Sequence, residues 1–178
     1  MKAIIFIDMQ EDFCDYGPFT NIGVLKIDQK IPEFFDQIKK NAHNWKIIFS
    51  MDYHPMNHIS FKFFPVHCIK GTLGSKFLPN SNLVKKDLII KKGTYKWIDN
   101  LSAVYNGKRK TKLEKFLKQN KIEEVYLAGV IGDICVKQTY LDLLKLNYKP
   151  LIIDELTYFR ETSSKNGLNI ISIKEVLI

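Results

Sequence analysis

Short apolar segments alternate with amphipathic segments along most of this 178-residue chain. Five runs rich in Ile, Val and Leu are long enough for buried strands and too short for helices. They cover residues 3–7, 46–51, 87–91, 125–130 and 150–154. Helical periodicity is present in residues 27–42, 111–119 and 133–146. This alternation predicts an α/β fold, a three-layer α/β/α sandwich built around a mostly parallel sheet.

The length and composition indicate one domain without a membrane span or a secretion signal. A chain of this length buries one core comfortably and is short for two. No stretch approaches the roughly 18 consecutive apolar residues of a membrane span, and the N-terminus lacks the length and cleavage pattern of a signal peptide. We therefore expect a single domain over residues 1–178, a cytoplasmic location and no membrane partner. A homo-oligomer is compatible with the sequence.

The formal net charge of +8 raises the question of a nucleic-acid partner. The basic residues are spread along the chain, without an arginine-rich block or interleaved aromatic residues, so no such partner is predicted. The three cysteines show no repeated close spacing. This pattern indicates neither a disulfide framework nor a Cys-rich zinc site, and it leaves at least one thiol free.

Reactive polar side chains follow four of the predicted strands. Asp8 follows the first strand, Asp52 and His54 the second, and Lys92 the third, while Cys135 comes shortly after the fourth. Ligands of parallel α/β sheets bind beyond the carboxyl ends of the strands, which all lie at one edge. We therefore expect these side chains to meet at one site.

A cluster of metal-ligating residue types begins at the end of the second strand. Asp52 and His54 are one residue apart, and three of the four histidines of the chain, His54, His58 and His67, fall within fourteen positions. A single loop histidine is more often a surface residue than a ligand. One carboxylate with two or three imidazoles nevertheless suits zinc, iron or manganese and leaves positions open for water or substrate. The cluster therefore predicts one divalent metal ion.

Cys135 occurs where a buried strand passes through a glycine-containing turn into a helix. A helix N-terminus favours the thiolate, and its free amides can stabilise an oxyanion. By frequency alone, a buried structural cysteine would be the better interpretation. The strand-turn-helix setting, the Asp8 carboxylate and the Lys92 amine favour a nucleophile, with Asp8 as its general base and Lys92 orienting the pair.

Five segments of the chain resemble one known family in their order and spacing. They are residues 6–13, 52–61, 64–74, 92–93 and 129–136. In these segments the chain is similar to the isochorismatase-like cysteine hydrolases and, within that family, to the nicotinamidases. The resemblance covers about the first four-fifths of the chain, far more than a chance match of one short motif.

The resemblance implies an isochorismatase-like, Rossmann-like fold with a Cys-Asp-Lys catalytic triad, here Cys135, Asp8 and Lys92. It implies zinc, or else iron or manganese, with His58 a ligand in some relatives and not in others. The other residues that the resemblance assigns are the ligands Asp52, His54 and His67, Phe13 packing on the substrate ring, and a cis peptide at Val130–Ile131 in the turn before the nucleophile.

The activity implied by the resemblance is hydrolysis of a small-molecule amide. Nicotinamide would be converted to nicotinate and ammonia through a cysteine thioester, a step of NAD salvage. The alternatives are a related hydrolase acting on an N-carbamoyl or ureido substrate, and a non-catalytic binding protein on this fold. The chain departs from the family at Phe64 and at Ile131-Gly132, and its C-terminal helix is expected to be shortened to residues 161–166.

Overall fold

The structure of the protein is a computed structural model in which residues 1–20, 23–38 and 44–177 are described. The strands are β1 (Lys2–Ile7), β2 (Trp45–Asp52), β3 (Leu88–Lys92), β4 (Tyr105–Asn106), β5 (Arg109–Lys110), β6 (Glu124–Gly129), β7 (Leu151–Thr157) and β8 (Ile170–Ile171). Six of them form a parallel sheet in the order β3-β2-β1-β6-β7-β8, and β4 and β5 form a separate antiparallel hairpin.

Helices cover both faces of this sheet. They are α1 (Val24–Ile38), α2 (Pro79–Leu83), α3 (Leu113–Gln119), α4 (Lys137–Lys145) and α5 (Ile173–Val176), with a π-helical turn, Gly132–Val136, directly before α4. Short 3-10 helices span Glu11–Phe13, Ile59–Lys62, Leu73–Ser75 and Thr162–Lys165. None of the described helices is long and apolar enough to cross a membrane.

The central strand β1 separates two hydrophobic cores because its side chains point alternately to opposite faces. Ile4 and Phe6 pack in the core that also contains apolar residues of α1. Ile5 and Ile7 pack in the other core, with residues of α3 and α4. Apolar residues bury both faces of β1, which is why its sequence reads as a continuous apolar run, and the predicted three-layer α/β/α fold is confirmed.

The predicted elements match the structure, with shifts at their ends. Helix α1 begins before the predicted helix 27–42 and is described over Val24–Ile38, while residues 39–42 lie outside the described residues. The predicted helix 133–146 is divided into the π-helical turn and α4. The segment 161–166 contains a 3-10 helix, and β8 and α5 follow it without having been predicted. Both are too short for a recognisable periodicity.

The strand order places a topological switch point between β1 and β6. The chain proceeds from β1 through β2 to β3 in one direction, and from β6 through β7 to β8 in the other. Connections therefore diverge from the carboxyl ends of β1 and β6, and a crevice opens there. Asp8 follows β1 directly, and the turn that leads to Cys135 follows β6.

Candidate active site

Three strands deliver Asp8, Lys92 and Cys135 to one buried point. The Nζ atom of Lys92 lies 2.8 Å from Oδ2 of Asp8 and 3.6 Å from Sγ of Cys135. A carboxylate oxygen of Asp8 lies within 4.8 Å of that sulfur. Asp8 and Lys92 have no exposed surface, and Cys135 is 6% exposed. A carboxylate, an amine and a thiol from remote parts of the sequence are therefore within reach of one another.

Asp8 combines a left-handed backbone with a buried carboxylate. Its φ is 51°, a conformation that aspartate tolerates better than most residues. The hydroxyl of Ser50 donates a 2.8 Å hydrogen bond to Oδ1 of Asp8. Burial raises the pKa of Asp8 to about 6, although Lys92 and the Ser50 hydrogen bond oppose the increase. Near neutral pH, Asp8 is thus an ionised carboxylate that is basic enough to accept a proton.

The thiol of Cys135 and the amine of Lys92 are protonated in this environment. Burial raises the pKa of Cys135 well above its usual range, and the neighbouring Lys92 ammonium only partly offsets the increase. Burial disfavours the charged form of Lys92, but Asp52 and Asp8 outweigh it and raise the pKa of this lysine. Because the thiol does not ionise by itself, a base beside it is needed to form the nucleophile.

The turn before Cys135 has an unusual backbone. The Val130–Ile131 peptide bond is cis, in agreement with the family resemblance. The amide of Val136 then donates to the carbonyl of Ile131, the i→i−5 bond of a π-helical turn. A Cβ at Gly129 would overlap the backbone of Ile7 in the adjacent strand β1, and its φ is +109°. Glycine is therefore required at the point where β6 leaves the sheet.

Asp52, His54 and His67 form a second cluster beside the first. Their ligand atoms lie within 4.8 Å of one another, and all three side chains are buried. Burial opposes the charged form of Asp52, but Lys92, His54 and His67 hold its pKa well below the usual range. The Nζ atom of Lys92 lies 2.5 Å from Oδ1 of Asp52, so this lysine joins the two clusters.

The hydrogen bonds of the two histidines leave the same ring nitrogen free. Nδ1 of His54 lies 3.0 Å from the carbonyl of Gly93, and Nδ1 of His67 lies 2.6 Å from the carbonyl of Pro65. Because a carbonyl only accepts, both Nδ1 atoms carry the proton and both Nε2 lone pairs are available. Nε2 of His54 is buried and has no hydrogen-bond partner among the described residues. One carboxylate and two such imidazoles fit a divalent metal ion.

His58 is not part of this cluster among the described residues. Its Nδ1 lies 2.6 Å from the hydroxyl oxygen of Ser60, and its Nε2 lies 3.2 Å from the carbonyl of Ile98. The ring stacks on that of His54, with centroids 4.1 Å apart and planes inclined by 21°. Of the three histidines near the predicted metal site, the structure brings two together with Asp52.

Two residues that hold these clusters in place, Gln10 and Ser50, were not predicted from the sequence. The side-chain amide of Gln10 donates to the carbonyl of Asp52 at 2.8 Å, and its oxygen accepts from the amide of Asp52 at 2.8 Å. Ser50 supports Asp8, as described above. A signal for Ser50 existed, because a polar residue inside an otherwise apolar strand needs a partner when buried. Gln10 lies within the first family-like segment, but the sequence does not reveal its partners.

A pocket with about 330 Å³ of empty space, part of which is open to solvent, adjoins these two clusters. Its walls include Phe13, Phe19, Phe64, Asp52, His67 and Cys135. The ring of Phe13 lies 5.1 Å from that of Phe19 and 5.6 Å from that of His67, between ring centroids. Ile131 also lines the pocket. A small aromatic ligand would thus meet apolar rings, with the thiol and the metal-ligating groups on the same wall.

Comparison with known proteins places this site in a family. The profile of the isochorismatase domain matches residues 2–169. The chain belongs to the isochorismatase family. A curated nicotinamidase of Acinetobacter baylyi is 31% identical over 173 residues, which cover 85% of this chain and 78% of that protein.

Solved structures of other proteins have the same fold. The pyrazinamidase of Pyrococcus horikoshii in complex with zinc has a TM-score of 0.82 and 29% identity, and the match covers 96% of this chain and 98% of that one. The N-carbamoylsarcosine amidase of Thermoplasma acidophilum has a TM-score of 0.81 at 21% identity, over 97% of this chain and 96% of that one. This second likeness shows the fold alone, so the choice between amide substrates depends on the site.

Proposed function

We propose that this isochorismatase-family protein is a metal-dependent nicotinamidase that hydrolyses nicotinamide to nicotinate and ammonia through a thioester on Cys135. The observation that carries the proposal is the position of Lys92. Its ammonium group lies 2.8 Å from Asp8, 3.6 Å from the sulfur of Cys135 and 2.5 Å from Asp52. One buried cation thus joins a nucleophile and its base to a candidate metal ligand.

In the acylation step, Asp8 is the general base for Cys135. Its carboxylate takes the proton from the thiol, and the sulfur attacks the carboxamide carbon to form a C–S bond. The backbone amides of Ile131 and Cys135, two residues that line the pocket, stabilise the oxyanion. Protonated Asp8 returns its proton to the leaving nitrogen, the C–N bond breaks, and ammonia departs.

In the deacylation step, the same groups act on water. Asp8 takes a proton from a water molecule, whose oxygen attacks the thioester carbon. The C–S bond breaks, the thiolate recovers the proton from Asp8, and the acid loses its remaining proton to solvent and is released as nicotinate. Lys92 stabilises the anion in each half of the reaction, first the carboxylate of Asp8 and then the thiolate of Cys135, because it contacts both. The buried ammonium lowers the free-energy cost of these changes in charge.

Asp52, His54 and His67 would hold the metal ion, and zinc is the proposed ion because it suits this mixed set of nitrogen and oxygen ligands. When bound, the ion supplies a positively charged anchor for the ring nitrogen of the substrate. Phe13 packs on that ring from the pocket wall, and the thiol of Cys135 then faces the carboxamide. The metal-ligating groups thus select for an aromatic amide that carries a ring nitrogen.

The competing function is hydrolysis of an N-carbamoyl or ureido compound by the same triad. Such a substrate lacks a ring nitrogen, so it gives no role to the buried Nε2 atom of His54, which has no hydrogen-bond partner among the described residues, or to the aromatic wall around Phe13. Those two features favour nicotinamide.

The deciding experiment measures ammonia release by the purified, zinc-loaded protein. Nicotinamide, N-carbamoylsarcosine and a ureido acid are offered at equal concentrations, each with and without a chelator. We expect release from nicotinamide only, and its loss when the metal is removed. Faster release from N-carbamoylsarcosine or the ureido acid would favour the competing function. If no substrate released ammonia, the proposal that the protein is an amidohydrolase would be refuted.

A further inference from the structure

His58 is the one buried histidine beside the candidate metal cluster whose two ring nitrogens both have partners among the described residues. The carbonyl of Ile98 accepts at 3.2 Å, so Nε2 carries the proton. The backbone amide of Ser60 donates toward Nδ1 at 3.3 Å, so Nδ1 supplies the lone pair. The ring is therefore the neutral tautomer with both nitrogens engaged, and neither lone pair is available to a cation.

The partners of His58 belong to two segments that form the pocket. Ser60 lies in the metal loop, defined here as residues 52–67, and Ile98 lies in the wall segment, defined here as residues 95–101. Ser60, Asp99 and Leu101 all line the catalytic pocket. A second bond, from the amide of Ile59 to the carbonyl of Lys96 at 2.9 Å, joins the same two segments. His58 is therefore placed to set the distance between two walls of the pocket.

His58 also contacts a candidate ligand directly. Its ring stacks on that of His54 at a centroid distance of 4.1 Å, and this contact through the ring face leaves both of its own hydrogen bonds in place. The edge of Phe61 closes the group, 5.7 Å from the ring of His54 and 6.0 Å from that of His58. The carbonyl of Gly93 decides which nitrogen of His54 faces the cluster, and the stack with His58 adds a packing contact to that ring.

We infer that His58 is a positioning residue that fastens the wall segment to the metal loop, and that it is not itself a metal ligand. The inference deepens the proposed function and rests on it for its effect on nicotinamide binding. If the wall segment loosens, Asp99 and Leu101 shift at the pocket. Substrate binding then suffers more than the chemical step, since the triad lies on other elements.

Two substitutions separate the two hydrogen bonds of His58. His58→Asn keeps an acceptor for the Ser60 amide, because asparagine is a good N-cap residue. Its side chain is too short to reach the carbonyl of Ile98, so the donor to that carbonyl is removed. His58→Gln keeps a donor near the position of Nε2 and removes the ring. Met56→Gln is the matched control, since Met56 belongs to the same loop and is 76% exposed.

The readouts are zinc affinity, steady-state kinetics with nicotinamide, and hydrogen exchange of the wall segment. Both His58 variants should bind one zinc ion with an affinity within about threefold of the unmodified protein. In His58→Asn we expect KM to rise about tenfold, kcat to change less than about threefold, and exchange in the wall segment to accelerate. His58→Gln should recover part of the KM, and Met56→Gln should change nothing. A loss of zinc affinity of about a hundredfold in either variant, or unchanged KM and exchange in His58→Asn, would overturn the inference.

A measurement on the unmodified protein judges the inference even if the variants do not fold. Histidine ring ¹⁵N resonances are compared between the metal-free and the zinc-loaded protein. Zinc should move the Nε2 resonances of His54 and His67 strongly, while those of His58 keep the signature of the neutral Nε2–H tautomer. An equally large shift at His58 would make it a ligand and refute the inference. Neither this result nor the zinc affinities depend on nicotinamide turnover, so failure of the proposed function would be distinguished from failure of the inference.

Discussion

The ammonium group of Lys92 lies 2.8 Å from the carboxylate of Asp8, and neither side chain has any exposed surface. A second carboxylate, that of Asp52, lies 2.5 Å from the same nitrogen. Two buried anions therefore share one buried cation. Such an arrangement is tolerated only while all partners are present, because a single unpaired charge in the interior is costly.

Replacing Lys92 with methionine should destabilise the protein as well as inactivate it. We expect the free energy of unfolding to fall by about 3–5 kcal/mol, because Asp8 and Asp52 lose their common counter-ion. In the double variant Lys92→Met/Asp8→Asn, one of the two anions is gone and part of the stability should return, without activity. Urea unfolding of the metal-free proteins measures this. Lys110→Met, at an exposed lysine, is the control, and equal stability of the single and double Lys92 variants would contradict the expectation.

The pH dependence of kcat/KM should report the ionisation of Asp8. The pKa of this buried carboxyl is raised to about 6, and the general base must be ionised, so kcat/KM should fall as the pH decreases through about 6. Ser50→Ala removes the hydrogen bond that stabilises the ionised form, and the inflection should move to higher pH.

The control for Ser50→Ala is Ser81→Ala. Ser81 is also buried and donates a hydrogen bond to a carboxylate, that of Asp28 at 2.6 Å, which is not part of the site. Its pH profile should match that of the unmodified protein. An inflection that Ser50→Ala leaves in place would assign the titration to a group other than Asp8.

Substitution of the nucleophile should abolish turnover without removing the metal. In Cys135→Ala we expect kcat to fall at least about a thousandfold, because no thioester can form, while zinc content by elemental analysis stays at one per chain. Cys14→Ser is the matched control. Cys14 is also buried, and its thiol donates to the carbonyl of Glu11, a bond that a serine hydroxyl can keep. Residual turnover by Cys135→Ala comparable to that of the control would refute the thioester mechanism.

Removal of one imidazole should weaken metal binding strongly. His67→Ala eliminates one of the two free Nε2 atoms of the cluster, and we expect zinc affinity to fall at least about a hundredfold. Gln10→Ala keeps all three ligands but removes two hydrogen bonds to the backbone of Asp52, so its loss should be smaller, about tenfold. Titration of the metal-free proteins with zinc gives both values, and an unchanged affinity in His67→Ala would exclude this residue as a ligand.

Gly93 and Gly71 provide a matched pair for testing how the ring of His54 is held. Both have positive φ, +64° and +82°, so alanine strains the backbone at either position by about 1–2 kcal/mol. A Cβ at Gly93 would overlap the ring of His54, whereas one at Gly71 meets nothing within 4 Å. Gly93→Ala should therefore lose zinc affinity as well as stability, while Gly71→Ala should lose stability alone. Equal zinc affinities would show that Gly93 does not constrain His54.

Five of the six strands of the sheet were predictable because each is a short apolar run between amphipathic segments. The two-residue strand β8 was not, since it carries no periodicity of its own. The same limit applies to the π-helical turn before α4. Its residues read as the beginning of a helix, and only the bond from Val136 to Ile131 distinguishes it from an α-helical turn.

For the site, the sequence by itself determined which reactive residue types follow which strands. In a parallel sheet the carboxyl ends of the strands share one edge, so Asp8, Lys92 and Cys135 were expected at that edge once the strands were assigned, and the strand order brings them together. The tertiary structure decided the roles of the histidines. The proton on each ring is fixed by its partner, the carbonyl of Gly93 for His54 and that of Ile98 for His58. These carbonyls are about forty positions away in the chain. No local pattern encodes which loop approaches which ring, because loop positions follow from the packing of the whole domain.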